Sequence, residues 1–156
     1  MELTKKQRLL NLLWAFLSVA VVALIANLFS QRNTDWYNNL AKASEWPPAF
    51  LFPIIWSVIY FLVGLSIYFM LNSGKMNKKM IILLIFNGVV NILWCLLFFT
   101  LQSTIGGLIM ILLNLVASIL LVREIDKDKL LGYFLTIYPL WVSFATMLNL
   151  AIWILN

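Results

Sequence analysis

The side chains able to do chemistry in this 156-residue chain are amides and indoles. Asn87, Asn91 and Trp94 stand at i, i+4 and i+7, which puts them on one face of a helix. Trp141, Ala145 and Leu148 repeat that spacing, and the small alanine leaves room beside the indole. Pro53, Trp56, Tyr60 and Gly64 make a similar stripe, and Asn114 and Asn149 add two further amides. Amides facing lipid would go unpaired, so they must point inward. There they either bond one another between helices or line a pocket. Three aromatic faces together with in-span amides suit a pocket for a flat apolar ligand.

What the chain lacks narrows the chemistry further. It has no histidine, which removes an imidazole base, a histidine haem ligand and a His/Cys zinc site. Its single cysteine, Cys95, forms no intramolecular disulfide and reads as an apolar core residue. No catalytic metal site is expected. The stripes contain no charged side chain, which argues against hydrolysis and against proton-coupled pumping.

These faces need helices to carry them, and the charge pattern supplies the helices. The chain is 63% hydrophobic and 11% charged, against about 25% charged in an ordinary soluble domain. A soluble globular fold is excluded. The charges fall into clusters at 2–8, 32–45, 75–79 and 123–129, and the stretches between and after them hold none. A membrane span needs roughly 20 apolar residues. The stretch 80–122 is about twice that length and carries Gln102-Ser103-Thr104 near its middle, so it reads as two helices and a tight hairpin.

The expected fold is therefore all-α and integral to the membrane. Five transmembrane helices lie at about 9–29, 49–71, 80–101, 104–122 and 130–154 in a single membrane domain spanning 1–156. Lys5, Lys6, Arg8, Lys75, Lys78, Lys79, Arg123, Lys127 and Lys129 fall on one side, and Arg32 and Lys42 on the other. That imbalance places the N-terminus inside and the C-terminus outside. Inside-facing loops account for the net charge of +5, so no nucleic-acid partner is needed. A cleaved signal peptide fits residues 1–29 poorly, because the apolar run is too long and no small-x-small site follows. The segment 30–47 holds Trp36, Tyr37, Leu40 and Trp46, too apolar for a passive linker, and reads as a short helix or lid over the outer mouth. Pro47-Pro48 closes it and starts the second helix, which Pro53 should bend.

Several of these residues together resemble the translocator protein (TspO/MBR) family, whose bacterial members are tryptophan-rich sensory proteins. The resemblance rests on Trp36-Tyr37, Trp46-Pro47-Pro48, Pro53, Trp56, Tyr60 and Gly64, on Asn91-Ile-Leu-Trp94 followed by Phe98-Phe99, and on Trp141-Val-Ser-Phe144-Ala145-Thr146-Met-Leu-Asn149. It runs from about residue 10 to the end. Two departures stand out: Phe50 occupies a slot where the family has Trp, and Pro53 comes one position early. Both put the local path of the second helix, and with it the pocket wall, in question.

The resemblance implies a bundle, commonly homodimeric, in a bacterial inner or plasma membrane. It also implies binding of porphyrins such as protoporphyrin IX, and of isoquinoline carboxamides and benzodiazepines, in a cavity beneath the first loop. The ligand-binding candidates are Pro47, Phe50, Trp56, Tyr60, Asn87, Asn91, Trp94, Trp141, Ala145 and Leu148, with Asn149 as an amide support. The family's light-dependent breakdown of protoporphyrin makes Trp56 and Trp141 the catalytic candidates. Porphyrin would be ligand or substrate, with no cofactor required. The absence of histidine favours the metal-free macrocycle. The region 150–156 lacks the Tyr followed by Arg or Lys of the cholesterol motif, so cholesterol recognition is not expected.

The orientation has a direct check. In a Cys95→Ser background, Asn38→Cys should react with a membrane-impermeant maleimide in intact cells, and Lys78→Cys only in inverted vesicles. The opposite pattern would reverse the topology.

Overall fold

The computed structural model describes residues 3–44, 46–125 and 129–156. Among them every regular element is helical. The first helix, α1 (Lys5–Ser30), starts on a capping box, in which Thr4 Oγ1 accepts from the Gln7 amide and the Gln7 side chain accepts from the Thr4 amide. A short α2 (Thr34–Asn39) lies in the following loop. Next come α3 (Leu51–Asn72), α4 (Lys78–Cys95) and α5 (Thr104–Ile125), then α6 (Lys129–Leu135) and α7 (Ile137–Leu155). Asn77 caps α4 by accepting from the Met80 amide at 2.9 Å.

Five helical stretches are long and apolar enough to cross a bilayer: Lys5–Ser30, Leu51–Asn72, Lys78–Thr100, Thr104–Ile125 and Leu131–Leu155. Three local features depart from the sequence expectation. The third stretch ends in a π-helical turn, Leu96–Thr100, rather than as uniform α-helix. The fifth stretch breaks at Thr136, whose amide closes a tight turn on the Tyr133 carbonyl at 3.2 Å. Pro139 explains the break, because its ring would collide with the Leu135 carbonyl in a continuous helix.

The third difference concerns the prolines. Pro47-Pro48 precede the helix instead of starting it, and α3 begins only at Leu51. Pro53 is then the third helical residue, where its absent N–H is one the helix would leave unpaired anyway. The expected bend has no cause there. Among the charged loops, residues 126–128 (Lys127 included) and Glu45 lie outside the described residues.

α1 packs against α3 and α4, α4 against α5, and α5 against α7, while α3 meets α6 and α7 more lightly. Glycines set two of these contacts. A Cβ on Gly64 would lie 3.0 Å from Phe16 of α1, and one on Gly88 3.0 Å from Val22 of α1. Asn11 Nδ2 donates to Asn72 Oδ1 at 2.8 Å, tying α1 to α3. At the same end, the Lys79 ammonium reaches the buried Glu124 carboxylate at 2.6 Å, joining α4 to α5.

The hairpin between α4 and α5 is the tightest point. Ser103 Oγ accepts from the Gly106 amide at 3.1 Å, and Gln102 takes a left-handed φ of 54°. A Cβ on Gly107 would sit 2.5 Å from Cδ2 of the buried Phe98. Gly107→Ala should therefore displace Phe98 and cost about 1–3 kcal/mol, the range for overpacking. A lower melting temperature in detergent is the expected result, and an unchanged one would contradict this packing.

Candidate functional site

The second half of α1, the first half of α3 and the ends of α4 and α7 converge on one half of the bundle. The loop carrying α2 folds across the gap that they leave. The result is a cavity of about 440 Å³. Its walls are aromatic: Tyr37 and Trp46 from the loop, Phe52, Trp56 and Tyr60 from α3, and Trp94, Phe98 and Phe99 from α4 and its π-helical turn. Ala145, Leu148, Asn149 and Ile152 of α7 close the far side, and Ala23, Ala26, Asn27 and Ser30 of α1 the near side.

The aromatic rings form a continuous set. Trp56 lies 5.7 Å from Tyr60 and 6.0 Å from Trp94, centroid to centroid. Trp94 stacks on Phe98 at 6.3 Å with an interplanar angle of 18°. The π-helical turn matters here: its extra residue per turn carries Phe98 and Phe99 round to the cavity.

Hydrogen bonds fix the polar groups of the floor. Trp94 Nε1 donates to Asn149 Oδ1 at 3.2 Å, and Asn149 Nδ2 donates to the Ala145 carbonyl at 2.9 Å. The Tyr60 hydroxyl donates to Asn91 Oδ1 at 2.8 Å. Asn91 is 2% exposed, and its Nδ2 has no partner among the described residues. At the loop end the lining turns polar, with Asn27, Ser30, Gln31, Thr34 and Asn38.

The loop is held in place by side chains that answer backbone groups. Asn33 Nδ2 donates to the Phe99 and Thr100 carbonyls, which the π-helical turn leaves open. The Lys42 ammonium donates to the Tyr37, Asn38 and Leu40 carbonyls and lies 4.6 Å over the Tyr37 ring. Asn156 brackets Ala41, accepting from its amide at 2.9 Å and donating to its carbonyl at 3.1 Å. Trp46 Nε1 donates to the Tyr37 hydroxyl at 3.2 Å. Burial raises the Tyr37 pKa above the usual phenol value, and the Trp46 bond offsets part of that. Tyr37 is therefore neutral through the physiological range.

Of the residues singled out from the sequence, Trp56, Tyr60, Asn91, Trp94, Ala145 and Leu148 come together around the cavity. Four others do not line it. Asn87 is buried away from it, donating to Asn114 Oδ1 at 3.2 Å, with the Tyr138 hydroxyl 2.9 Å from both Asn87 Oδ1 and Asn114 Oδ1. Trp141 is buried outside the lining and meets the Phe52 ring edge-on at 5.6 Å. Its Nε1 has no partner among the described residues. Phe50 is 63% exposed at the start of α3, and Pro47 is half-buried in the loop.

The α1 wall escaped the sequence reading. Ala23, Ala26, Asn27 and Ser30 stand at i, i+3, i+4 and i+7, a stripe of small and polar residues in a run of Leu and Val, and that contrast was its signal. Phe52, two residues after the exposed Phe50, lines the cavity, and no spacing in the sequence singles it out.

Comparison with known proteins agrees with this architecture. The sequence profile of the TspO/MBR family matches residues 13–154. The tryptophan-rich protein TspO of Archaeoglobus fulgidus is 31% identical over 150 residues, 95% of this chain and 98% of that protein. Protein CrtK of Rhodobacter capsulatus is 35% identical over 145 residues, 90% of this chain and 89% of that one. The tryptophan-rich sensory protein of Cereibacter sphaeroides is 29% identical over 120 residues, 74% of this chain and 73% of that one. With five helices able to cross a bilayer and a profile match over nearly the whole chain, this multi-pass membrane protein belongs to the TspO/MBR family.

Proposed function

We propose that the chain binds a metal-free tetrapyrrole, protoporphyrin IX or a close relative, in the cavity under the α2 loop, and acts in porphyrin transport, sensing or stress response. Isoquinoline carboxamides and benzodiazepines would occupy the same place. The observation that carries the reading is an aromatic cavity of about 440 Å³ walled by Trp56, Tyr60, Trp94 and Phe98. Sites for drug-sized ligands span about 300–1,000 Å³, mostly apolar with a few placed polar groups. The family resemblance supplies the ligand class, and a relative named a sensory protein fits a reporting role.

The cavity also suggests how the ligand lies. Its described lining has no charged side chain, so an ionised carboxylate drawn to the floor would lose its hydration with no opposite charge to replace it. Carboxylates therefore belong at the loop end, beside Asn27, Ser30, Gln31 and Asn38. The macrocycle stacks on Trp56 and Trp94. With the N-terminus inside, that end faces outward. The working unit would be a homodimer in the bilayer.

Titration with protoporphyrin IX, followed by tryptophan quenching, tests the reading. Trp56→Phe and Trp94→Phe should each weaken binding about three- to tenfold, the scale of a lost aromatic contact. Trp141→Phe should change it less, because that indole is not part of the cavity lining. Unchanged affinity in both of the first two variants would overturn the assignment.

A second reading is light-dependent degradation of the bound porphyrin, with dioxygen as oxidant and cavity indoles as electron partners. The close series Tyr60–Trp56–Trp94 favours it. Trp56 then touches the substrate, whereas Trp141 lies outside the lining, packed against Phe52. Under illumination a new absorbing product should form, with lower yield in Trp56→Phe while binding persists. Bleaching identical to that of free porphyrin in detergent would exclude an enzymatic role.

A further inference from the structure

We propose that Asn149 is a positioning residue for the stacking wall of the cavity. It holds the Trp94 indole in one placement and takes up its N–H, so that Trp94 meets a ligand by its ring alone. The inference rests on the binding role proposed above and names what keeps one wall of that site in place.

α4 and α7 each pack against α5 and scarcely meet each other. Near the cavity, the gap between them is crossed by the bond from Trp94 Nε1 to Asn149 Oδ1 at 3.2 Å. Both side chains are buried, and both line the cavity. The amide can stand only one way round. Asn149 Nδ2 donates to the Ala145 carbonyl, one turn back on α7, at 2.9 Å. Turned over, the amide would set its NH2 against the indole N–H and its oxygen against that carbonyl, losing both bonds. Oδ1 therefore faces α4, and α7 offers the indole a fixed acceptor.

The neighbouring rings do not fix the indole in this way. Trp94 lies 6.0 Å from Trp56 with planes 31° apart, and 6.3 Å from Phe98 with planes 18° apart. Such contacts are broad, and a half-turn of the indole about χ2 leaves them nearly unchanged. The hydrogen bond does not survive that turn, because the N–H then points away from Asn149. A smaller rotation, tilting the indole out of line with Phe98, stretches the same bond. Asn149 thus selects one of two ring placements. With the N–H already spent, the wall suits a flat, extended π-system that asks no hydrogen bond of Trp94.

Two readouts test this, the first without ligand. With isotope-labelled tryptophan, the seven indoles each give an N–H resonance, and Trp94→Phe identifies that of Trp94 by its loss. Asn149→Leu removes the acceptor at nearly constant side-chain volume, and the Trp94 proton should then move upfield. Protoporphyrin IX titrations supply the second readout, as a double-mutant cycle. Asn149→Leu alone should weaken binding about three- to tenfold, the scale of one lost hydrogen bond. In the Trp94→Phe background the same substitution should weaken it by less than about twofold. General loosening of the bundle would weaken binding by the same factor in both backgrounds. Asn149→Ala carries the same comparison if the leucine variant does not fold.

An unmoved Trp94 resonance in Asn149→Leu would overturn the bond. Equal weakening in both backgrounds would overturn the positioning role. Either result leaves the cavity reading standing. Failure of the wild type to bind protoporphyrin IX would remove the cavity reading, and this inference with it, even with the resonance shifted as expected.

Discussion

In hydrocarbon, a side-chain amide without a protein partner has no water to turn to, and most interior amides of this bundle are bonded accordingly, Asn91 Nδ2 and Asn114 Nδ2 being the exceptions among the described residues. Asn87, Asn114 and Tyr138 join α4, α5 and α7. Trp94 and Asn149 join α4 to α7 a few turns away, and Tyr60 and Asn91 join α3 to α4. Asn11 and Asn72 tie α1 to α3 near one end. Each long helix is thus bonded to a neighbour through at least one amide. Apolar packing against lipid-like neighbours has little to say about register, so these bonds give the helices a defined depth and rotation relative to one another.

The same rule at the helix ends builds the roof of the cavity. A π-helical turn leaves carbonyls unanswered, and Asn33 answers two of them. Because Asn33 opens α2 in a left-handed conformation (φ 53°), satisfying those carbonyls also aims α2 across the bundle. Lys42 then takes the carbonyls at the far end of α2, and Asn156 holds Ala41. The loop is thus anchored at both ends of α2 by side chains that answer backbone groups. Tyr37 and Trp46 can therefore serve as walls.

How much of this the sequence disclosed depends on range. Charge clusters and apolar lengths marked out the helical stretches, because the cost of placing a charge in lipid is local and large. Stripes at i, i+4 and i+7 correctly grouped residues on a face, but a face does not specify depth. Ala145 and Leu148 reach the cavity, whereas Trp141, at the start of the same stripe, packs against Phe52 of another helix and does not line it. Asn87 and Asn91 share a face in the same way, yet one bonds α5 and α7 while the other bonds Tyr60 of α3 beside the cavity. Which of two like residues is consumed depends on tertiary neighbours such as Asn114 and Tyr138, and no spacing rule carries that. The π-helical turn was equally hidden, since nothing in Leu-Leu-Phe-Phe-Thr distinguishes it from an α-helical end.

Depth also bears on what the cavity can do. Its lining comes from the loop, α1, α3, α4 and α7, and α5 contributes nothing. Below Trp56 the interior closes: the Trp56 ring meets Tyr138 at 6.1 Å, and Tyr138 sits in the buried bonds with Asn87 and Asn114. A path straight through the bundle would have to part those bonds. Each buried polar group left without a partner would then cost about 1–3 kcal/mol. A ligand at Trp56 and Trp94 is easier to admit and release from the loop half, where Tyr37, Trp46 and the polar end of α1 form the boundary. On the proposed binding role, the closed half therefore favours entry and exit through the loop half over passage straight through the bundle.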